Sequence, residues 1–179
     1  MITITNANIQ KVYSTAKKLD LIVPQLNELC KKYNIDTTNR LSMFIAQCLH
    51  ESAGFLYLKE IWGNTKWQIA YENNIKLGNI NPGDGKLFMG RGLIQLTGRS
   101  NYTKFSKWAG NPEIINTPSL VETPEFAVLS AIWFWDSNNL NKFADNDDIE
   151  GCTKAVNGKA MLGLNERSDY YSKLKKILK

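Results

Sequence analysis

The sequence predicts a mainly α-helical domain with one short β-hairpin or loop region. Three observations carry this. Leu41, Phe44, Ile45, Cys48 and Leu49 recur at the helical spacing i, i+3, i+4, i+7, i+8. Thr123-Pro124-Glu125 is a helix start, with a capping hydroxyl, Pro in the first turn and an acid near the positive dipole end, and FAVLSAIWFW follows it. Between Gly63 and Gly92 the helical period fades, and NINPGDGKLFMGRG brings one proline and four glycines.

Taken in order, Ile9, Val12, Tyr13 and Ala16 mark a first helix capped by Thr5 or Asn6. Leu26, Leu29, Cys30 and Tyr33 mark a second. The third, from Leu41, is capped by Thr37, Thr38 or Asn39. The Asp84-Gly85 pair reads as the turn of a short hairpin. Helix resumes over 101–109. FAVLSAIWFW is apolar nearly all round, so it is expected as the buried central helix. Asp147 or Asp148 caps a further helix with Cys152, Ala155 and Val156 inward, ended by Asn157-Gly158. Tyr170, Tyr171, Leu174, Ile177 and Leu178 form an apolar stripe in DYYSKLKKILK. That segment reads as a terminal helix docked on the core. A second reading makes Lys173–Lys179 a cationic amphipathic surface for an anionic outer membrane.

The chain has 179 residues, 43% hydrophobic and 11% aromatic, with five Trp. That fits one globular domain over 1–179, able to bury about 70% of its unfolded surface. The net charge of +5 favours polyanions such as an acidic cell wall. No basic run with interleaved aromatics marks a nucleic-acid groove, so no nucleic acid is expected. Cys30, Cys48 and Cys152 have no metal or CxxC spacing and read as buried free thiols of a reducing compartment. MITITNANIQKVYS lacks the basic-then-apolar plan of a signal peptide, and no run reaches membrane-span length.

HESAGFLYLKEIW poses the chemical question. Glu51 and Glu60 are nine residues apart, which occurs cheaply in any sequence. On a helical wheel from Leu41, Glu51 lies about 80° from the centre of the apolar stripe, in or just past the last turn. A carboxyl there is partly desolvated and near the negative helix end, and both effects favour the proton-bearing form a general acid needs. Ser52-Ala53-Gly54 then turns the chain, and FLYLKEIW continues irregularly to Glu60. An inverting glycosidase needs such a pair, one acid and one carboxylate. The plain alternative is a helix-end residue and a solvated charge.

Other chemistries lack parts. His50 is the sole histidine, so zinc sites of the HExxH type are absent. The wheel places His50 opposite the apolar stripe, which neither supports nor excludes a functional role. No Walker loop or dinucleotide fingerprint occurs.

FIAQCLHESAGF, KEIWGNT, LGNINPGDGKLFMGRGLIQLTGRSNY and AVNG, between about Leu41 and Arg167, resemble the family 19 glycoside hydrolases. They are most similar to the short bacteriophage endolysins of that family, which are related to plant chitinases. The resemblance implies a lysozyme-like, two-lobed helical fold and an inverting mechanism without metal or cofactor. It implies Glu51 as general acid, Glu60 as general base and Thr97 as a holder of the attacking water. His50, Trp62, Gln95, Asn101, Tyr102 and Asn157 become candidate substrate-binding residues, and Arg167 a shaper of the charge around the acids, suited to keeping Glu60 ionised. Trp62 is the tryptophan best placed as a sugar platform; Trp67, Trp108, Trp133 and Trp135 read as core.

Two departures matter. Phage members continue the late motif as NGG, whereas this chain has NGKAMLGLNER. The short Glu51–Glu60 interval follows the phage form, which favours peptidoglycan over chitin. The expected protein is therefore a monomeric endolysin that hydrolyses β-1,4 bonds of peptidoglycan glycan strands, held in the host cytoplasm until released to the periplasm and wall. The rivals are a chitinase, a lytic transglycosylase that uses one Glu and no water, and a non-catalytic wall-binding module.

Overall fold

A computed structural model describes residues 2–179. The helices are α1 (Asn6–Val12), α2 (Leu19–Lys32), α3 (Thr38–Glu51), α4 (Lys66–Ile69), α5 (Asp84–Leu87), α6 (Arg99–Ala109), α7 (Glu113–Asn116), α8 (Pro124–Ser137), α9 (Asn141–Asp145), α10 (Ile149–Asn157) and α11 (Leu164–Ile177). Ile75–Leu77 and Pro118–Glu122 are 3-10 turns. The fold is mainly α, as the sequence predicts. No helix among the described residues is long and apolar enough to cross a membrane.

The chain forms two compact units. The first is Met1–Leu56 with Phe134–Lys179, and the second is Tyr57–Trp133. Helix α8 begins in the second, and its residues from Phe134 onward belong to the first.

In the first unit α3 is the central element. The Thr37 side chain caps it by accepting from the Arg40 N–H. Residues 41–49 are all buried, including the polar Ser42 and Gln47. Helix α11 packs along it, and α9 and α10 close other sides. The sequence wheel, with one apolar stripe, therefore understates this helix, which is enclosed all round. Phe44 meets the fully buried Trp135 edge-on at 5.4 Å. Helix α11 buries Arg167, Tyr171 and Leu174, so the terminal segment is docked on the core. Its Lys173 pairs with Asp169 at 2.7 Å and Lys175 with Asp147 at 2.8 Å. Cys30, Cys48 and Cys152 are free and buried.

Several boundaries differ from the sequence expectation. Helix α1, capped by Thr5, stops at Val12 because Tyr13 turns extended, so Ala16 is not helical. Helix α2 starts earlier, at Leu19, behind a left-handed Lys18 with no side-chain cap, and it carries Pro24 inside. Asp148 caps α10, whose Cys152 is buried while Ala155 is exposed.

The second unit holds the loop region. Among the described residues it has no named strand; the pairing consists of isolated bridges Lys59–Arg91 and Arg91–Leu96. The hairpin is thus at Arg91–Leu96, where both backbone hydrogen bonds close at 3.1 and 2.7 Å. Asp84-Gly85 instead opens α5, because the Asp84 carboxylate is engaged elsewhere. It accepts from the Ile80 and Asn81 N–H groups and from Arg99 Nε at 2.7 Å. Glu72 accepts from the Gly83 and Gly85 N–H groups, tying the loop shut.

Candidate active site

Glu51 is the last residue of α3, and the chain turns sharply after it. Ala53, Gly54 and Phe55 all take positive φ, and Gly54 N–H returns to the Leu49 carbonyl at 2.7 Å. A Cβ on Gly54 would stand 2.6 Å from the Tyr13 ring, so only glycine fits there. Ser52 Oγ donates to the Cys48 carbonyl and accepts from the Phe55 N–H, fixing the exit. The Glu51 side chain keeps 19% of its surface exposed.

Arg167 is fully buried and pairs with that carboxylate through Nη2. Its Nη1 donates to Gln47 Oε1 at 2.5 Å and its Nε to the Leu162 carbonyl at 3.1 Å. The expected place of Arg167 in the charge around the acids is therefore beside Glu51, not Glu60.

His50 is half-buried. Its Nδ1 lies 3.3 Å from Glu166 Oε2, and its ring covers Gly163, where a Cβ would come within 1.9 Å of Cε1. Burial holds its pKa below the usual 6.5; Arg167 adds to this, while Glu51 and Glu166 oppose it. Asn157 Oδ1 accepts from the Leu162 N–H at 2.8 Å and so shapes the loop that also bonds Arg167.

Glu60 sits in the second unit on an irregular stretch just after the Lys59–Arg91 bridge. Its backbone N–H donates to the Gly90 carbonyl at 2.8 Å. Its Oε2 accepts from the Gly90 N–H at 3.1 Å and its Oε1 from Gln68 Nε2 at 2.9 Å. The Tyr71 hydroxyl is hydrogen-bonded to it as well; burial, then Glu60, pushes the Tyr71 pKa up. Gln68 is anchored in turn, since its Oε1 accepts from Gly63 and Thr65 in the α4 capping box. Gln68 and Tyr71 escaped the sequence reading, because α4 is one turn long and gives no periodic signal.

Gly90 is the floor of this half-site. A Cβ built there would lie 2.8 Å from Gln95 Oε1 and 3.3 Å from both Glu60 Oε2 and Thr97 Oγ1. Three oxygens therefore converge on one point above a residue with no side chain. Thr97 Oγ1 donates to the Gln95 carbonyl at 2.8 Å, which leaves its lone pairs to accept from a guest. Gln95 takes positive φ, 50°, a conformation costing about 1 kcal/mol, to aim its amide inward. Its Nε2 is fixed on the Gly92 carbonyl at 3.1 Å. A water standing farther out, beyond van der Waals reach of the Gly90 Cα, can donate to two of these oxygens and present a lone pair elsewhere.

Asn101 Nδ2 donates to the Thr97 carbonyl at 2.9 Å and steadies this loop. Tyr102 departs from its expected role. It is fully buried, donates to the Met89 carbonyl at 2.9 Å and accepts from Arg91 Nη1 at 3.1 Å. Its ring is core and supports GRG rather than meeting a sugar; burial, partly offset by Arg91, pushes its pKa up to about 12. Trp62 is half-exposed, its Nε1 on Asn64 and its ring tilted 6.2 Å from Tyr71. Trp133 and Trp135 are core, but Trp67 is 82% exposed. No group of three or more His, Cys, Asp or Glu able to hold a metal ion is found among the described residues.

Comparison with known proteins gives the family of the chain. The family model for class I chitinases, glycoside hydrolase family 19, matches residues 34–161. A glycosyl hydrolase family 19 domain-containing protein of Haemophilus influenzae is 31% identical over 161 residues, covering 74% of this chain and 77% of that protein. An endochitinase of Pisum sativum is 34% identical over 124 residues, 62% of this chain and 37% of the pea protein. The chain thus spans well under half of that plant relative. Among solved structures, chitinase C from Streptomyces griseus superposes with a TM-score of 0.76 at 20% identity, over 97% of this chain and 76% of that one. A class IV chitinase from Zea mays gives 0.67 at 18% identity, over 97% and 89%. Those two likenesses concern the fold, while the family match and the Haemophilus relative concern descent. The chain belongs to glycoside hydrolase family 19, a family of chitinase-like glycosidases.

Proposed function

We propose that this glycosidase hydrolyses β-1,4 bonds in peptidoglycan glycan strands by inversion, and that it serves as an endolysin. Glu51 donates a proton to the leaving glycosidic oxygen. Glu60 removes a proton from a water held by Thr97 and Gln95, and the water oxygen bonds to the anomeric carbon as the glycosidic bond breaks. The observation that carries the reading is the convergence of Glu60, Thr97 and Gln95 oxygens over Gly90. A lytic transglycosylase has no use for such a water cradle. The basic charge of +5 supports residence on an anionic wall, after release from the host cytoplasm.

A second reading, chitin as substrate, is favoured by the relatives, several of which are named chitinases or endochitinases. The test digests purified peptidoglycan and chitin oligomers separately, reduces the products with borohydride and identifies the ends by mass spectrometry. Reduced muramic acid or glucosamine ends from peptidoglycan support the first reading. Products from chitin alone support the second, and anhydromuramic ends refute hydrolysis.

The outer-membrane role of the Lys173–Lys179 segment is a further part of this reading. Lys176 and Lys179 are exposed and carry the free charge. Reversing both to Glu should weaken lysis from outside while sparing purified wall; equal loss of both activities refutes the role.

A further inference from the structure

Below Glu51 lies a polar chain sealed from water. Gln47, Thr153 and Arg167 each have no exposed surface. Arginine only donates, so Gln47 must turn its amide oxygen toward Nη1, and its Nε2 then faces Thr153 Oγ1 at 3.2 Å. The amide orientation is therefore fixed at both ends, by an obligate donor on one side and an acceptor on the other. The three donor directions of Arg167 are consequently divided: Nε to Leu162, Nη1 to Gln47 and Nη2 to Glu51.

This division has a chemical consequence. An arginine that offers both Nη atoms to one carboxylate makes a bidentate pair and strongly favours the ionised form. Here Glu51 meets one nitrogen through one oxygen, and its Oε2 has no arginine contact. A general acid needs such an oxygen to carry the proton it delivers. We propose that Gln47, anchored by Thr153, is a positioning residue that holds Arg167 to a single contact with Glu51 and so leaves the acid able to carry a proton. The proposal rests on the reading of Glu51 as general acid.

Few other charges meet Glu51. His50 and Cys48 on α3 face it, with Glu166 on α11 beyond His50, and Cys152 on α10 faces the guanidinium. Burial pushes the Cys48 and Cys152 thiols up, the latter to about 12, so both stay neutral. Burial holds His50 below 6.5, so it is uncharged at neutral pH. Arg167 is left as the dominant charge on the acid.

The test is the alkaline limb of the pH–kcat/KM profile, which reports loss of the general-acid proton. Gln47→Met keeps the shape and removes the acceptor. Nη1 then turns to Glu51, and the limb should move to lower pH by about 1 unit, the low end of the effect of a new opposite charge. Gln47→Glu competes for the guanidinium and should move the limb the other way. A merely structural role lowers the rate of both variants without moving the limbs apart. If Gln47→Met does not fold, Thr153→Val, which frees the amide to rotate, should shift the limb downward by a smaller amount. Unmoved limbs, or a Gln47→Met limb that moves upward, overturn the proposal. Glu51→Gln is measured beside them: an active Glu51→Gln enzyme overturns the general-acid reading and the proposal with it. An inactive one with an unmoved Gln47→Met limb overturns the proposal alone.

Discussion

Replacing Gly90 by alanine adds one methyl group among the three oxygens that would hold the proposed water, and crowds the space that water needs. Gly90 does not occupy the left-handed region, so its backbone accepts a side chain without strain. The new carbon would stand 2.8 Å from Gln95 Oε1 and 3.3 Å from Glu60 Oε2 and Thr97 Oγ1. The first contact is relieved by a small swing of the Gln95 amide, a flexible end, while the backbone hydrogen bond from the Glu60 N–H to the Gly90 carbonyl persists. Stability should therefore change little, the gain of about 0.4–1 kcal/mol from a stiffer unfolded chain offsetting the local crowding. The rate should change greatly, because a methyl cannot donate or accept a proton. A positioned base and its water contribute about 10²–10⁴-fold, so kcat should fall by that factor, about 3–5 kcal/mol of barrier. The assay is reducing-end release from purified peptidoglycan and from chitin oligomers, with Tm recorded in parallel. A folded Gly90→Ala enzyme whose kcat stays within about threefold of the native value on its substrate would refute the water cradle.

Three further outcomes follow from the same contacts. Gln68→Leu removes one donor to Glu60 and leaves Gly63 and Thr65 N–H groups unpaired; kcat should drop about tenfold or more with Tm lowered by a few degrees, and unchanged kinetics would show that Glu60 needs no such support. The single His50 gives an isolated imidazole resonance, whose NMR titration midpoint should fall below 6.5 because burial and Arg167 disfavour the cation; a midpoint above 6.5 would contradict the packing over Gly163. Arg99, with two backbone N–H groups, holds the Asp84 carboxyl below its usual range, so that pair adds stability that is fully present above the unfolded value near 4 and is lost as pH falls through the lowered folded value. Arg99→Met should thus lose stability at pH 7 and show a flatter acid dependence below about pH 4, measured by urea unfolding at several pH values.

Much of this molecule is legible in its sequence where a long period or a cap governs structure. Leu41 through Leu49 and the Thr37 cap place α3, and Thr123-Pro124-Glu125 opens α8. The HES and GRGLIQLTGRSNY blocks marked the family. The region 63–92 was not legible in detail because its one-turn helices are held by side chains gripping backbone, Glu72 on Gly83 and Gly85, Asn79 on Tyr71 and Arg99, rather than by a repeating apolar face. Arg167 is legible as a residue that shapes the charge around the acids, but its partner Glu51 is not, and Tyr102, a tyrosine in a sugar-site motif, is fully buried, because burial and pairing depend on distant partners. A signal for Gln47 did exist, since it is the lone amide in the apolar run FIAQCL, and a buried amide needs partners.

The most direct measurement of the central claim is proton NMR of the anomeric centre during the first minutes of cleavage, before the freed sugar equilibrates. A water delivered by Glu60, Thr97 and Gln95 to the face opposite the leaving group gives the α-anomer first. Appearance of the β-anomer first, or of an anhydro sugar, would contradict it.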